Sequence, residues 1–274
     1  MKEKEQVKLT YAEDTDPFFK KAFIESLEFL TGRKRIERLY NEAHEAKDIQ
    51  HVDLWKTVLD KLEVNIKYDE KQLAKIPKQG AVVMISNHPY GVVDGLTFGY
   101  LAALARPNFK ILVNGVLQHD HMLADYLLPV DFRTTREAMM ININTKNEAI
   151  KILKEGGTIL IFPAGGVSTA DKVFNEPDDF EWKRFVIKLI HKSKATVVPL
   201  FFHGRNSRLF HFASFVSLNF RLGLLLNEVR NKMGKDIRVS IGNPISFEEI
   251  TKIKNRQELL AHLRRKTYEL KDEN

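Results

Sequence analysis

No cysteine occurs among the 274 residues. Disulfides, thiolate metal sites and a cysteine nucleophile are therefore excluded, which suits a reducing cytoplasm. Long apolar runs are missing too. The most apolar stretch, Phe210 to Leu226, is broken by His211, Asn219 and Arg221, and it falls short of the roughly 20 apolar residues that a spanning helix needs. The opening residues, Met1-Lys-Glu-Lys-Glu-Gln6, alternate in charge with no apolar segment behind them, and match neither a signal peptide nor a transit peptide. Glycine and proline, 14 and 9 residues, fall at punctuation points instead of forming low-complexity tracts. There is no internal repeat. What remains is 43% hydrophobic and 29% charged, a globular composition long enough for one large domain with a sizeable core. Lysine and arginine outnumber aspartate and glutamate by 43 to 36, giving a net charge of +7 and a pI near 9.3. Anionic partners are expected, among them acidic lipid, phosphorylated cofactors and acidic carrier proteins. No motif of the usual nucleic-acid-binding modules accompanies the basicity, so no nucleic-acid partner is expected.

The order of elements follows from periodicity. Asp16-Pro17 reads as a helix opening, with Phe19, Phe23, Leu27 and Leu30 at helical spacing up to Gly32. Helical stretches through Ile36, Leu39, Tyr40 and Ala43 and through Val52, Trp55, Leu59 and Leu62 follow, so residues 1–63 form an N-terminal helical region and 64–274 the main α/β domain. Strands are expected at Val64–Tyr68, Ala81–Ser86, Phe109–Val113, Thr158–Phe162, Thr196–Phe202 and Ile237–Ile241. Between them the pattern gives helices over Asp94–Ala105, Thr145–Lys154 (opened by the capping box Thr145-Lys-Asn-Glu148), Asp179–Lys192 and Phe212–Met233, with a last helix ending near Leu270. Such alternation implies a largely parallel mixed sheet flanked by helices, with any site beyond the strand C-termini.

Polar residues collect at those ends. Asn87-His88 closes the first core strand, Pro163-Ala-Gly165-Gly166 the third and His203-Gly204-Arg205 the fourth. In Asn87-His-Pro-Tyr-Gly-Val-Val-Asp94, a histidine leaves a buried strand and a carboxylate returns at the next helix. A carboxylate bonded to one imidazole nitrogen fixes the tautomer and leaves the other nitrogen as a general base. No nucleophile accompanies the pair, because Ser168 in Gly165-Gly-Val-Ser-Thr169 is not a G-x-S-x-G elbow. The target of the base is then an external hydroxyl. His119-Asp-His121 with Asp125 imitates a metal cluster but lacks supporting ligands, so no metal is expected. Arg133 and Arg205 have the forked geometry that grips phosphate or carboxylate, and Gly165 and Gly166 can present amides to an anion. With Asn87 they are the candidate substrate-binding residues.

Asn87-His88 with Asp94-Gly95, Leu128-Pro-Val-Asp-Phe-Arg133, Ile161-Phe-Pro-Ala-Gly-Gly-Val-Ser168 and Val198-Pro-Leu-Phe-Phe202 resemble, in order and spacing, the four blocks of the lysophospholipid and glycerolipid acyltransferase family. The resemblance covers roughly Val64 to Ile245. It implies that His88 deprotonates an acceptor hydroxyl, that Asp94 orients it, and that the hydroxyl attacks an acyl thioester carried by CoA or acyl-carrier protein. No cofactor is implied. A role in lipid metabolism and phospholipid biosynthesis follows from the same likeness. Five residues separate His88 from Asp94 where the family commonly has four, and Gly91 is placed to absorb the extra one. Ala164, Gly166 and Val167 stand where the commoner third block has Glu, Thr and Arg. These departures resemble a bacterial branch described broadly as hemolysin-like or lyso-ornithine-lipid-type, and point to a lyso-lipid acceptor in preference to glycerol 3-phosphate. The implied enzyme is peripheral on an anionic membrane, at its inner, cytoplasmic face. A non-catalytic lipid-binding scaffold that kept the fold is the alternative.

Overall fold

In a computed structural model, residues 10, 17–30, 33–44, 51–115, 123–170 and 175–272 are described. Helices α1 (Phe18–Leu30), α2 (Arg33–His44) and α3 (His51–Lys61) lead into β1 (Asn65–Lys67) and the short α4 (Glu70–Ala74). Then come β2 (Val82–Ser86), α5 (Val92–Ala105), β3 (Phe109–Asn114), β4 (Leu127–Val130), α6 (Arg136–Lys154), β5 (Thr158–Ile161) and α7 (Phe185–Ser193). The chain ends in β6 (Thr196–Phe202), α8 (Arg208–Val216), α9 (Leu218–Lys232), β7 (Asp236–Ile241), α10 (Phe247–Thr251) and α11 (Arg256–Glu269).

The strands make one seven-stranded sheet in the order β1-β7-β6-β2-β5-β3-β4. All neighbouring pairs are parallel except β6 with β7. This is the mixed, helix-flanked sheet expected from the alternation. Burial on both faces explains why β2 is apolar throughout: Val82 and Met84 enter the core shared with α3, α5, α8 and α9, while Val83 and Ile85 enter the one shared with α6, α7 and α11. The N-terminal helices share the first core through Ile24, Ile36 and Trp55. Trp55 of α3 reaches it over Gly99 of α5, where a Cβ would stand only 2.4 Å from the indole. A glycine in mid-helix, normally unfavourable by about 1 kcal/mol, is what admits α3.

Three expectations need correction. Thr145 does not open a helix: α6 starts at Arg136 with Thr135 as its N-cap, and the buried Thr145 hydroxyl donates to the Pro129 carbonyl at 2.5 Å, tying α6 to β4. The helix expected from Asp179 begins only at Phe185, because the Asp179 carboxylate is used in the site described below. Phe212–Met233 is not one helix; Ser217, with extended backbone, ends α8 and caps α9 by accepting from Phe220 N. Strand β4 was not anticipated as an element. Its Pro129 is tolerated because β4 is the sheet edge. Asp16, His119 and His121 lie outside the described residues.

Candidate active site

The central strand β2 ends between β5 and β6, and there the chain turns through Asn87 and His88 into α5. Asp94, in the first turn of α5, is fully buried. Its Oδ2 accepts from the amides of Tyr90 at 2.7 Å and Gly91 at 3.0 Å, and lies 3.0 Å from His88 Nδ1. Gly91 has φ +87° and ψ −116°, a conformation that L side chains avoid. That twist folds the longer His-to-Asp segment so that a single carboxylate oxygen gathers two amides and the imidazole. Burial pushes the Asp94 carboxyl up, opposed by the His88 ring and the two amides. A negative charge at a helix N-terminus is also favoured by the helix dipole. The His88 ring stacks on Phe162, with centroids 3.9 Å apart. With Nδ1 committed to Asp94, the hydrogen-bond network assigns the proton to Nδ1 and leaves Nε2 as the unprotonated nitrogen.

The third block is tied to this turn. Ser168 N donates to the His88 carbonyl at 2.7 Å, and the His88 amide donates to Asp179 Oδ1 at 3.2 Å. Asp179 also accepts from Ser168 Oγ at 2.6 Å and Trp182 Nε1 at 2.9 Å. Burial raises its carboxyl against the effect of those donors. Asp179 thus joins the loop after β5 to the backbone of the turn that carries His88. Sequence reasoning missed it by placing it in a helix.

The other candidates fall in different places. Asn87 gives both ends of its amide to Phe202, donating to its carbonyl at 2.9 Å and accepting from its N–H at 2.7 Å, and so straps β2 to β6. Arg133 is exposed and held bidentate by Asp131, whose carboxyl it lowers. Its neighbour Phe132 covers Gly165. Arg205 pairs with Glu176 at 3.1 Å beside a cleft of about 340 Å³ that also borders Asn87, Pro89, Ser168 and His203. Gly165 N donates to the Phe162 carbonyl, closing the turn, whereas Gly166 N has no acceptor among the described residues. Gly166 faces Phe180 and Arg221, the latter a residue not singled out as a candidate. Its signal was present: a lone cation inside an apolar stretch. Among the described residues no group of three or more His, Asp or Glu comes together to hold a metal.

The mostly parallel sheet thus carries a histidine–aspartate pair at the C-terminal end of its central strand. Residues 59–274 match the acyltransferase family, and the chain belongs to it. It is similar to the lyso-glycine lipid O-acyltransferase of Bacteroides thetaiotaomicron, at 28% identity over 239 residues and 83% of each chain. The protein of the same name from Phocaeicola vulgatus is 31% identical over 203 residues, covering 70% of this chain and 68% of that one. In fold, the chain is similar to the crystal structure of PlsC, the 1-acyl-sn-glycerophosphate acyltransferase of Thermotoga maritima. The TM-score is 0.50 at 14% identity, covering 92% of this chain and 95% of that one. The protein is an acyltransferase and an enzyme.

Proposed function

We propose that the protein transfers a fatty acyl group from acyl-CoA or acyl-carrier protein to the hydroxyl of a lyso-lipid built on an amino acid, with His88 as general base. The observation that carries this is the geometry of the pair: Asp94 Oδ2 at 3.0 Å from His88 Nδ1, in a buried, amide-lined position. His88 Nε2 takes the proton of the acceptor hydroxyl, whose oxygen attacks the thioester carbonyl. As the tetrahedral adduct collapses, the C–S bond breaks and the ester forms, and the imidazolium returns its proton to the departing thiolate. Asp94 holds the tautomer and stabilises the imidazolium. Phe162 fixes the ring plane. The Gly166 amide is our candidate donor to the oxyanion. Arg133 and Arg205, at the rim, are candidates for anionic parts of the substrates.

The names of both relatives specify a lyso-glycine lipid and O-acylation, which supports an amino-acid lipid acceptor here. Glycine has no hydroxyl, so in this acceptor the reacting oxygen belongs to the fatty chain, and glycine joined through its nitrogen keeps a free carboxylate. Ala164, Gly166 and Val167 in the third block also argue against glycerol 3-phosphate. Among the described residues no helix is long and apolar enough to cross a membrane. Phe18 and Phe19 of α1 are 78% and 85% exposed, with Phe212 and Phe215 of α8 half exposed. These aromatics, together with the net charge of +7, support peripheral binding at the inner face of an anionic membrane, where basic side chains near the surface contribute about 1 kcal/mol each.

The deciding experiment follows release of free thiol from acyl-CoA and from acyl-carrier protein with hydroxylated N-acylglycine as acceptor. The wild type should release thiol and form the diacylated lipid, and His88→Ala should do neither while keeping its circular dichroism spectrum. Turnover of a folded His88→Ala variant near the wild-type rate would sink the assignment of the base, and faster acylation of glycerol 3-phosphate would sink that of the acceptor. Sedimentation with vesicles should rise with anionic lipid and fall with salt; equal binding to neutral vesicles would remove the electrostatic part.

A further inference from the structure

Arg106 is buried and Arg221 partly buried, and only the first has its guanidinium used up by the fold. Arg106 donates to Thr158 Oγ1 and to the carbonyls of Pro77, Gly80 and Gly156, which spends its fork on structure. Arg221 has one bond, from Nη2 to the Val167 carbonyl. It lies over the faces of Phe180 and Phe210, at 5.2 and 5.5 Å from the ring centroids. No carboxylate among the described residues pairs with it. It also stands in the first turn of α9, at the positive end of the helix dipole, where an anion is favoured and a cation is not. Burial lowers its pKa to about 10. A charge withdrawn from water is normally compensated by an opposite charge, and here the fold offers only a carbonyl and two ring faces.

Its position connects it to the reacting groups. The Val167 carbonyl that it holds precedes Ser168, whose amide bonds the His88 carbonyl. Val167 and Leu225 together flank Gly91 of the catalytic turn. Gly166 leaves room beside the guanidinium: a Cβ there would stand 3.3 Å from the Phe180 ring and 4.0 Å from Arg221 Nη2. Phe210 belongs to α8, whose outer side carries the half-exposed Phe212 and Phe215, so the cation sits behind the apolar surface and not out on the polar rim.

We propose that Arg221 is the receptor for the carboxylate of the acceptor lipid and thereby sets its headgroup specificity, with Gly166 keeping the approach open. This rests on the amino-acid lipid acceptor proposed above. A planar carboxylate fits the guanidinium fork and would supply the missing counter-charge. The same guanidinium chemistry would suit the phosphates of a CoA donor, so the test must separate the two.

The experiment compares hydroxylated N-acylglycine with its methyl ester, identical except for the charge, in the wild type, Arg221→Gln and Arg221→Lys. The wild type should favour the acid in kcat/KM by at least about tenfold, the worth of a charge-assisted pair. Arg221→Gln should bring the ratio towards one, Arg221→Lys should fall between, and KM for the acyl donor should hold steady. Equal loss for acid and ester would mean a structural role and overturn the proposal; so would a raised donor KM with the ratio intact. If the wild type acylates neither lipid, the acceptor assignment has failed on its own account, and binding of the same two lipids in mixed micelles decides about Arg221. A preference for the acid that disappears in Arg221→Gln sustains the proposal; no preference, or one that persists, overturns it.

Discussion

The first turns of α5 and α9 carry opposite charges, Asp94 fully buried and Arg221 partly buried, and the fold treats them differently. Asp94 agrees with the dipole of its helix, and one of its oxygens meets two amides and an imidazole. Arg221 opposes its dipole and finds one carbonyl and two aromatic faces. Asp94 Oδ1 is buried without a hydrogen-bond partner among the described residues, so the compensation rests on Oδ2 alone, whose bonds within the chain let the carboxylate orient a neighbouring side chain. A charge left short of partners is a binding group whose compensation comes with the ligand. In the reading proposed above, Asp94 belongs to the part of the site that does chemistry and Arg221 to the part that selects.

The largest effect that can break this comparison is at Asp94. In Asp94→Asn the oxygen that accepts from Tyr90 and Gly91 is the same one that faces His88 Nδ1, so all three bonds and the tautomer can survive while the negative charge that stabilises the imidazolium is lost. We expect kcat to fall by about 10²–10⁴ with little change in melting temperature. Retention of wild-type kcat would show that the pair is structural. Gly91→Ala comes next. A side chain at φ +87°, 3.3 Å from Leu225 and Val167, should cost about 1–3 kcal/mol, and the displaced turn should lower kcat by at least about tenfold. Thermal melts and initial rates on the same preparation check both.

Asp179→Ala tests the support behind the turn. It strands the His88 amide, Ser168 Oγ and Trp182 Nε1, for a loss of about 2–4 kcal/mol, or roughly 5–10 °C in Tm. The pH dependence has a definite sign. Burial raises the Asp179 carboxyl in the folded state, so its ionisation makes the fold less stable. The stability of the wild type relative to Asp179→Asn should therefore be greatest at acid pH and decline as pH rises through the folded-state value.

The smallest effect sharpens the other side. Arg221→Met keeps the stem and removes a poorly compensated charge, so the ligand-free protein should gain about 2 °C in Tm while discrimination by headgroup is lost. Because the folded-state pKa is depressed to about 10, the wild type carries this burden fully at lower pH and sheds it as pH rises past that value. The advantage of Arg221→Met should shrink over the same range. A variant destabilised at neutral pH would show that the guanidinium is structural.

Much of this was legible in the residues. The strands are dense β-branched and apolar runs closed by Gly, Pro or Asn, so β2, β3, β5, β6 and β7 fall within a residue or two of expectation. His88 and Asp94 are close in sequence, and a strand-to-helix turn joins them by local geometry alone. What depends on distant partners was not legible. Thr145 has the local form of a cap, yet its hydroxyl reaches Pro129 and the helix runs through it. Asp179 looks like a helix start until Ser168 and Trp182 are brought to its carboxylate. Asn87 closes the strand where a substrate-binding residue would sit, but its amide is spent on Phe202, 115 residues away. Arg221 read only as an interruption of an apolar stretch; packing set it beside Gly166 and Val167. Sequence determined the elements and the pairing of His88 with Asp94 because short-range sterics and spacing act within a few residues. Tertiary structure alone decided which polar groups are satisfied and which are left for a ligand, because that depends on what the completed fold withdraws from water.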